Sequence, residues 1–372
     1  MSLYGELTGN FLSLKMIMDN MIKNKDIQVI DLFCGVGGAS YGFQKAGFKV
    51  VAGIDKDKKA LKTYDENFEG KGVEIDLAEV TPSELRERLK EREEVDLEDD
   101  FIIVGCPPCQ GFSRLGGEGK DDSRNDLVKK YAEIVSNFQP EAFLFENVVA
   151  IQEHEEYLNF LKESLKKAGY ELFPNEYDMR NYGVPQRRKR YLIIGFKKEY
   201  WIENFTLEKS HSNNIDGLPP WKTVRDAIED FPDLEMGESS DIDDHEAANR
   251  TDEMMNIIRN IPKDGGSRKD LPDDLKYECH KKYSGFNDVL GRMKWDEPSP
   301  TLTTGCTNPT KGRFLHPDQD RAMTLREAAE LQTFPDNFDF KGTKTQKTKH
   351  IGNALPPKFS KKMAEAIKKK LD

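Results

Sequence analysis

Two cysteines separated by two prolines are the residues of this sequence best suited to chemistry. Cys106 and Cys109 follow a short apolar run that ends at Gly105. Such a pair can hold zinc, form a redox couple or supply a nucleophile. Zinc needs four ligands, and Cys279 with His280 makes a poor second pair. A thioredoxin-like couple would lead the helix after the first strand, whereas this pair follows a later strand, so a nucleophile fits better.

A glycine-rich turn after the first apolar run predicts a cofactor loop. Glycines in segment 35–38 allow a tight turn and a close approach to a ligand, and Asp55 ends the next run, where a carboxylate can accept both ribose hydroxyls. NAD, S-adenosylmethionine and a turn without ligand are the alternatives. Ser40 stands where NAD sites have a third glycine, and Asp31 would repel a pyrophosphate. S-adenosylmethionine instead carries sulfonium and ammonium groups, which a carboxylate favours.

The elements that position these residues alternate along the first half of the chain. Apolar runs predict buried parallel strands at 28–33, 49–54, 101–105, 142–145 and 191–196. Between them, helical patterns occupy 39–46, 58–67, 83–92, 126–138 and 157–168. This alternation predicts an α/β fold with a doubly wound, mostly parallel sheet.

The composition of the sequence changes after about residue 200. We predict a catalytic and cofactor-binding domain at 25–205 and a smaller, loop-rich domain at 206–344, where Pro, Gly, Asp and Ser are dense. Segment 345–372 returns to the first domain and contains a helix near its end.

The charge of the protein gives no simple indication of a nucleic-acid partner. The net charge of −11 counts against one, because phosphates require a basic surface. Acidic residues concentrate in 91–100 and 226–246, whereas basic residues concentrate in 180–198 and 341–349. A local basic face on an acidic protein therefore remains an open interpretation.

Cysteine usage and hydropathy bear on location. The five cysteines form an odd set without a framework spacing, which favours a reducing cytoplasm over a disulfide scaffold. The sequence has neither a run of 18 apolar residues nor a secretory signal pattern, so we expect no membrane association.

Six motifs carry a family resemblance through their order in the chain. They are segment 31–38, Pro108-Cys109-Gln110, Glu146-Asn147-Val148, Gln186-Arg187-Arg188-Lys189-Arg190, Arg326-Glu327 with Leu331-Gln332-Thr333-Phe334-Pro335, and Gly352-Asn353-Ala354. In this order they resemble the motifs of the DNA (cytosine-5)-methyltransferase family, of the bacterial and archaeal restriction-modification type, from about residue 27 to the end. The fold implied is that of the S-adenosylmethionine-dependent methyltransferases.

The resemblance implies a covalent mechanism. Carbon 5 of cytosine is a poor nucleophile, and enzymes of this family activate it by adding a cysteine thiolate to carbon 6 of a cytosine flipped out of the duplex. By resemblance, Cys109 is that nucleophile and Glu146 protonates N3 of the ring. Arg190 contacts the base, and Arg188 supports it.

The cofactor implied is S-adenosylmethionine, and no metal is expected. By residue-by-residue resemblance, the cofactor pocket is lined by Phe33, Gly35, Gly37, Gly38, Asp55, Asp76, Leu127 and Asn353. Lys56 departs from the family, because many relatives have an apolar or aromatic residue against the adenine at this position.

Double-stranded DNA is the partner that the resemblance implies, with residues 206–344 as the target-recognition domain. DNA contacts are expected from Gln110, Ser113, Gln186, Thr301 and Leu302. We expect a monomer, and a cognate restriction endonuclease is a further candidate partner.

Three other functions are the alternatives to this interpretation. A tRNA-directed member of the same family would carry a Cys-Phe-Thr signature, where this chain has Gly305-Cys306-Thr307. A non-catalytic DNA-binding module is disfavoured by the intact Cys109 and Glu146. A dehydrogenase is disfavoured by the missing third glycine.

Overall fold

A computed structural model of the protein describes residues 27–108, 125–278 and 288–372. The predicted nucleophile Cys109 and the predicted DNA contacts Gln110 and Ser113 lie outside the described residues.

A seven-stranded sheet forms the centre of the described chain, in the order β3-β2-β1-β4-β5-β7-β6. Its strands are β1 (Gln28–Leu32), β2 (Lys49–Asp55), β3 (Gly72–Glu74), β4 (Phe101–Gly105), β5 (Ala142–Asn147), β6 (Tyr170–Asp178) and β7 (Lys189–Lys197). β3, β2, β1, β4 and β5 pair in parallel. The predicted mostly parallel α/β sheet is therefore confirmed.

Helices cover both faces of this sheet because its strands are apolar on both sides. The first five are α1 (Gly38–Lys45), α2 (Lys58–Asn67), α3 (Pro82–Lys90), α4 (Asp126–Phe138) and α5 (Glu155–Lys167). Ile102 of β4 belongs to the hydrophobic cluster that includes α1 and α2, and Ile103 belongs to the cluster that includes α3, α4 and α5. Alternate strand residues thus build two cores, one on each face.

Local capping explains where α3 begins. The Thr81 side chain accepts the Glu84 backbone N–H, and the Glu84 carboxylate accepts the Thr81 backbone N–H. This capping box places Pro82 at the first helical position, where its missing N–H costs nothing. The helix therefore starts one residue before the predicted 83–92 segment.

The prediction of a parallel strand at 191–196 is wrong, because β7 runs antiparallel to both β5 and β6. β6 was not predicted at all. It is an edge strand with mostly exposed or half-buried residues and contains Pro174, so it lacks the continuous apolar run that marks a central strand.

The second half of the chain contains short helices and a separate small core. Its helices are α6 (Val224–Ile228), α7 (Asp252–Arg259), α8 (Leu325–Leu331), α9 (Lys344–Asn353) and α10 (Pro357–Leu371). Eight buried side chains between Met255 and Ala322 form a hydrophobic cluster of their own. Leu302 and Phe314 of the same stretch pack instead, together with Leu325, into the core that contains α1. The second half of the chain therefore contributes to the main core both before and after α8 begins.

No helix among residues 27–108, 125–278 and 288–372 combines the length and apolar character needed to cross a bilayer.

Glu330 of α8 makes folding stability depend on pH. Burial, and then the nearby Asp336 carboxylate, raise the pKa of Glu330 from 4.5 to about 7, although Arg326 donates to it at 2.9 Å. Because the folded pKa is the higher one, the stabilising contribution of the protonated carboxyl is complete below about pH 4.5 and lost as pH rises through 7.

We therefore expect Glu330→Gln to stabilise the protein at pH 8 by about 1 to 2 kcal/mol and to change little at pH 5, because glutamine mimics the protonated acid. The measurement is thermal unfolding at both pH values. Glu365→Gln, on α10 in an exposed pair with Lys361, is the control. Equal or lower stability of Glu330→Gln at pH 8 would contradict the assignment.

Candidate active site

A cavity of about 460 Å³ opens where β1, β2, β4 and β5 end. This is the carboxyl edge of the parallel strands, where ligands bind in open α/β sheets. Seven of the eight residues predicted for the cofactor line this cavity, namely Phe33, Gly35, Gly38, Asp55, Asp76, Leu127 and Asn353. We call it the edge cavity.

Gly37 does not line the edge cavity, so the structure gives this predicted residue a packing role. Its φ is +92°, and a Cβ built there would lie 2.3 Å from the Phe68 ring. A Cβ on Gly38 would lie 2.4 Å from the Leu355 carbonyl oxygen. Both glycines permit close packing, and Gly35, with φ +54°, turns the loop beside the cavity.

Two of the cavity's acidic residues have different surroundings. Asp55 accepts the backbone N–H groups of Gly35 and Asp57, both at 2.9 Å, and burial raises its pKa. Asp76 accepts a hydrogen bond from Lys56 Nζ at 3.0 Å, and both side chains are partly exposed. Asp55 is therefore the oriented acceptor, whereas the Lys56–Asp76 pair stands at the outer part of the site.

Asp31 lines the edge cavity, although it is not among the eight residues predicted to line the cofactor pocket. It lies near the end of β1, just before the glycine-rich turn, and is 1% exposed. One carboxylate oxygen, Oδ2, accepts the Ser40 hydroxyl at 2.6 Å, and burial raises the pKa of Asp31 to about 7. Its only sequence signal was an acid beside the glycine-rich turn.

Glu146 and Arg190 form the charged pair of the same cavity. Arg190 Nε donates to Glu146 Oε1 at 2.8 Å, and the side chains are only 14% and 10% exposed. Cys106 follows Gly105, which pairs with Phe145, so Cys106 and Glu146 leave adjacent strands side by side. Burial, and then the charge of Glu146, raise the pKa of the Cys106 thiol well above its ordinary value. Cys106 is thus a poor thiolate.

Asn147 holds the chain that leads toward Cys109. Its Nδ2 donates to the Pro107 carbonyl at 3.2 Å, and its Oδ1 accepts the Val148 N–H at 2.9 Å. Asn147 is 1% exposed, so this restraint is internal. The second residue of the Glu146-Asn147-Val148 motif therefore has a positioning role that its residue type alone did not reveal.

Arg188 joins three parts of the chain at the edge cavity. Its Nη1 donates to the carbonyls of Leu302 and Gly352 at 3.3 Å, and its Nη2 donates to the Asn353 carbonyl at 3.4 Å. The residue is 1% exposed. Arg188 therefore positions these carbonyls, and its support of the base stays a prediction.

Gln186 and Leu302 are buried, and this contradicts their predicted contact with DNA in this conformation. Gln186 is 0% exposed; its Nε2 donates to Gln332 Oε1 at 2.6 Å, and its Oε1 accepts the Leu302 N–H at 3.0 Å. Leu302 is 1% exposed. Gln332 continues the network by donating to the Ile351 carbonyl at 2.6 Å. Thr301 remains partly exposed, and its hydroxyl donates to the Arg187 carbonyl.

Most lysines of the basic segment 341–349 form ion pairs with acidic residues of the same protein. Lys344 pairs with Glu246 at 2.9 Å, and Lys347 pairs with Asp244 at 2.7 Å. Lys349 pairs with Asp57 at 3.3 Å. Part of the acidic run 226–246 thus serves as the partner of this segment, which does not form a free basic face.

Comparison with known proteins establishes the family. A family model described as C-5 cytosine-specific DNA methylase matches residues 27–369. The chain belongs to the C-5 cytosine-specific DNA methylases. Among curated relatives, it is similar to Type II methylase M.HgiDII of Herpetosiphon aurantiacus, with 35% identity over 355 residues, covering 92% of this chain and 96% of the relative. It is also similar to Type II methyltransferase M1.HphI of Haemophilus parahaemolyticus, with 35% identity, covering 91% of this chain and 86% of the relative.

Solved structures agree with this assignment. A DNA modification methyltransferase encoded within an E. coli prophage has a TM-score of 0.64 and 28% identity, covering 92% of this chain and 98% of that one. The S. pombe Dnmt2 methyltransferase shares the fold, with a TM-score of 0.61. Its sequence identity is 18%, and the match covers 93% of this chain and 98% of that one.

The activity of this C-5 methylase is methyl transfer from S-adenosylmethionine to carbon 5 of cytosine in DNA. The edge cavity suits the cofactor, because its volume lies within the range of small-molecule sites and its glycine turn is flanked by carboxylates. Carboxylates repel phosphates and favour the cationic groups of S-adenosylmethionine.

Gln186 provides a test of its buried role in this C-5 methylase. We expect Gln186→Leu to destabilise the protein by about 1 to 3 kcal/mol, because the Leu302 N–H and the Gln332 amide lose a buried partner. The affinity for DNA at each salt concentration should stay at the wild-type value. Chemical unfolding and DNA titrations at several salt concentrations measure both. Gln152→Leu, at an exposed glutamine, is the control. Wild-type stability with a weakened affinity for DNA would instead support a DNA contact.

Proposed function

We propose that Cys109 and Glu146 carry out the methylation together on a cytosine extruded from duplex DNA. The observation that carries the proposal is the Glu146–Arg190 pair, which lies in the same cavity as Asp55 and the glycine turn. A base in this cavity would lie beside the methyl donor. Asn147 restrains Pro107, two residues before Cys109 in the sequence, and Pro107 and Pro108 line the cavity, which supports Cys109 as the nucleophile.

In the proposed mechanism the Cys109 thiolate adds to carbon 6, and the ring electrons move toward N3. Once Arg190 has turned from Glu146 to the base, Glu146 takes up a proton from solvent and donates it to N3, so no full negative charge accumulates on the ring. The resulting enamine attacks with carbon 5, and S-adenosylmethionine supplies the methyl group from its sulfonium. The carbon 5 proton is then lost to solvent, the thiolate departs and the N3 proton returns to Glu146, which restores the aromatic ring.

Arg190 would keep Glu146 in place before the base arrives. A carboxylate that is only 10% exposed needs a charged or hydrogen-bonding partner, and Arg190 supplies one at 2.8 Å. When cytosine enters, the Arg190 guanidinium can turn to the base. Glu146 then accepts a hydrogen bond from the exocyclic amine of the cytosine and donates one to N3. Arg188 acts through the carbonyls it holds and is a positioning residue.

Sequence recognition is assigned to the loop-rich part of the chain. The separate core between Met255 and Ala322 supports a target-recognition domain within the predicted 206–344 segment. We keep its predicted bounds, and Leu302 and Phe314 attach this segment to the main core. The remaining predicted DNA contacts are Gln110 and Ser113, outside the described residues, and Thr301.

Type II relatives support membership of a restriction-modification system, with a cognate endonuclease as a partner. We also propose that the protein works as a monomer in the cytoplasm. The experiment that tests the function is expression in a bacterium without cytosine methylation, followed by sequencing of 5-methylcytosine. Methylation of one sequence context is expected, and an unmethylated genome together with methylated tRNA would overturn the DNA substrate.

Cys109→Ser should bind S-adenosylmethionine and DNA but transfer no methyl group, because a serine hydroxyl is barely ionised at neutral pH. The measurement is incorporation of labelled methyl groups, with cofactor binding followed by calorimetry. Cys306→Ser is the matched control, since Cys306 is a buried cysteine outside the edge cavity. Turnover near wild type in Cys109→Ser would exclude the covalent mechanism.

Glu146→Gln keeps the shape of the side chain but donates a proton poorly. We expect the single-turnover rate of methyl transfer to fall by roughly two to four orders of magnitude. DNA affinity should change much less, because most of it comes from phosphate contacts. The rate is measured under single-turnover conditions and the affinity by titration, both on the same duplex. If affinity fell and the chemical step kept its rate, Glu146 would only position the base, and the proton donor would be another group.

A further inference from the structure

Asp31 is a buried carboxyl group that the mechanism above does not use. It is 1% exposed and lines the edge cavity, yet only Oδ2 has a hydrogen-bond partner among the described residues. Its second oxygen, Oδ1, has none. A buried carboxylate oxygen without a hydrogen-bond donor destabilises the protein. This cost is relieved either by protonation of the carboxylate or by a ligand that donates a hydrogen bond to the oxygen.

The groups that face Asp31 offer no positive charge. Ser40 Oγ, which donates to Oδ2, also lies 2.8 Å from the Tyr64 hydroxyl. The other titratable groups that interact with Asp31 are Asp55 and the buried Cys34, Cys106, Tyr64 and Tyr131. All of these are acids, and no described Lys, Arg or His forms an ion pair with Asp31. Its surroundings therefore favour the neutral carboxyl until a cation enters.

We infer that Asp31 exchanges its proton for the ammonium group of S-adenosylmethionine, so that binding of the cofactor releases a proton. In this step the carboxyl loses its proton to solvent, and Oδ1 of the resulting carboxylate accepts an N–H of the ammonium. The sulfonium cannot be this hydrogen-bond donor, because it has no N–H to donate to Oδ1. The inference rests on the cofactor pocket described above.

The exchange has a consequence for affinity. Burial raises the pKa of Asp31 to about 7, so most free protein is protonated at pH 6 and ionised at pH 8. Below the carboxyl pKa, each binding event must release one proton. The affinity for S-adenosylmethionine should therefore fall about tenfold for each pH unit in that range.

Calorimetry of cofactor binding at pH 6, in buffers of different ionisation enthalpy, tests this directly. The wild type should release close to one proton per bound S-adenosylmethionine. S-adenosylhomocysteine, which keeps the ammonium but lacks the sulfonium, should release as many. Methylthioadenosine, which has no ammonium, should release none. Equal release with methylthioadenosine, or none with S-adenosylhomocysteine, would overturn the inference.

Substitutions test whether Asp31 is the group that releases the proton. Asp31→Asn should bind S-adenosylmethionine at least tenfold more weakly at pH 8, without proton release and with affinity nearly independent of pH. Ser40→Ala removes the hydrogen bond to Oδ2, so proton release should continue to higher pH than in the wild type. Glu74→Gln, at an exposed acid outside the cavity, is the control and should behave as wild type.

The outcomes separate this inference from the assignment of the cofactor. If the wild type binds S-adenosylmethionine without releasing a proton, or if Asp31→Asn still releases one, Asp31 is not the exchanging group. If the wild type does not bind S-adenosylmethionine, the cofactor pocket itself is misplaced and the inference is overturned with it.

Discussion

The buried guanidinium of Arg188 is the constraint on which the site depends. It is compensated by three main-chain carbonyls, from Leu302, Gly352 and Asn353, which belong to two segments distant in sequence from β7. Arginine does not lose its charge in proteins, so moving any of these carbonyls would leave a buried cation poorly solvated. The interaction therefore holds the Thr301–Leu302 segment and the end of α9 against the sheet, and a Cβ on Gly352 would prevent it by meeting the Thr303 oxygen at 2.1 Å.

Electrostatics divide the molecule into an acidic cofactor region and internally paired surface charges. Asp31 and Asp55 line the edge cavity near the glycine turn, which suits a cationic ligand. The lysines of segment 341–349 pair with acids from distant segments, such as Asp244 with Lys347. Neither net charge nor a run of lysines therefore indicates where DNA binds, because the sequence does not show which charges neutralise each other in three dimensions.

The sheet core and most of the cofactor pocket could be predicted from the sequence, because both depend on local patterns. Apolar runs identify central strands, and strand ends place Phe33, Asp55 and Glu146 at one edge. Predictions failed where a residue's role depends on distant partners. Gln186 has the polarity of a DNA contact, but Gln332 and Leu302 use its amide inside the protein. The direction of β7 was missed because an apolar run has the same appearance in a parallel and an antiparallel strand.

The reversed strand has a chemical consequence. In a fully parallel sheet, the carboxyl edge receives only side chains from strand ends. β7 is antiparallel, and its pairing of Asn147 with Tyr191 brings the beginning of β7 to the end of β5. Arg190, the second residue of β7, can therefore meet Glu146 near the end of its neighbour, at 2.8 Å. Because Arg188 immediately precedes the same strand, the strand that delivers the arginine to the catalytic acid also attaches the second half of the chain to the cavity.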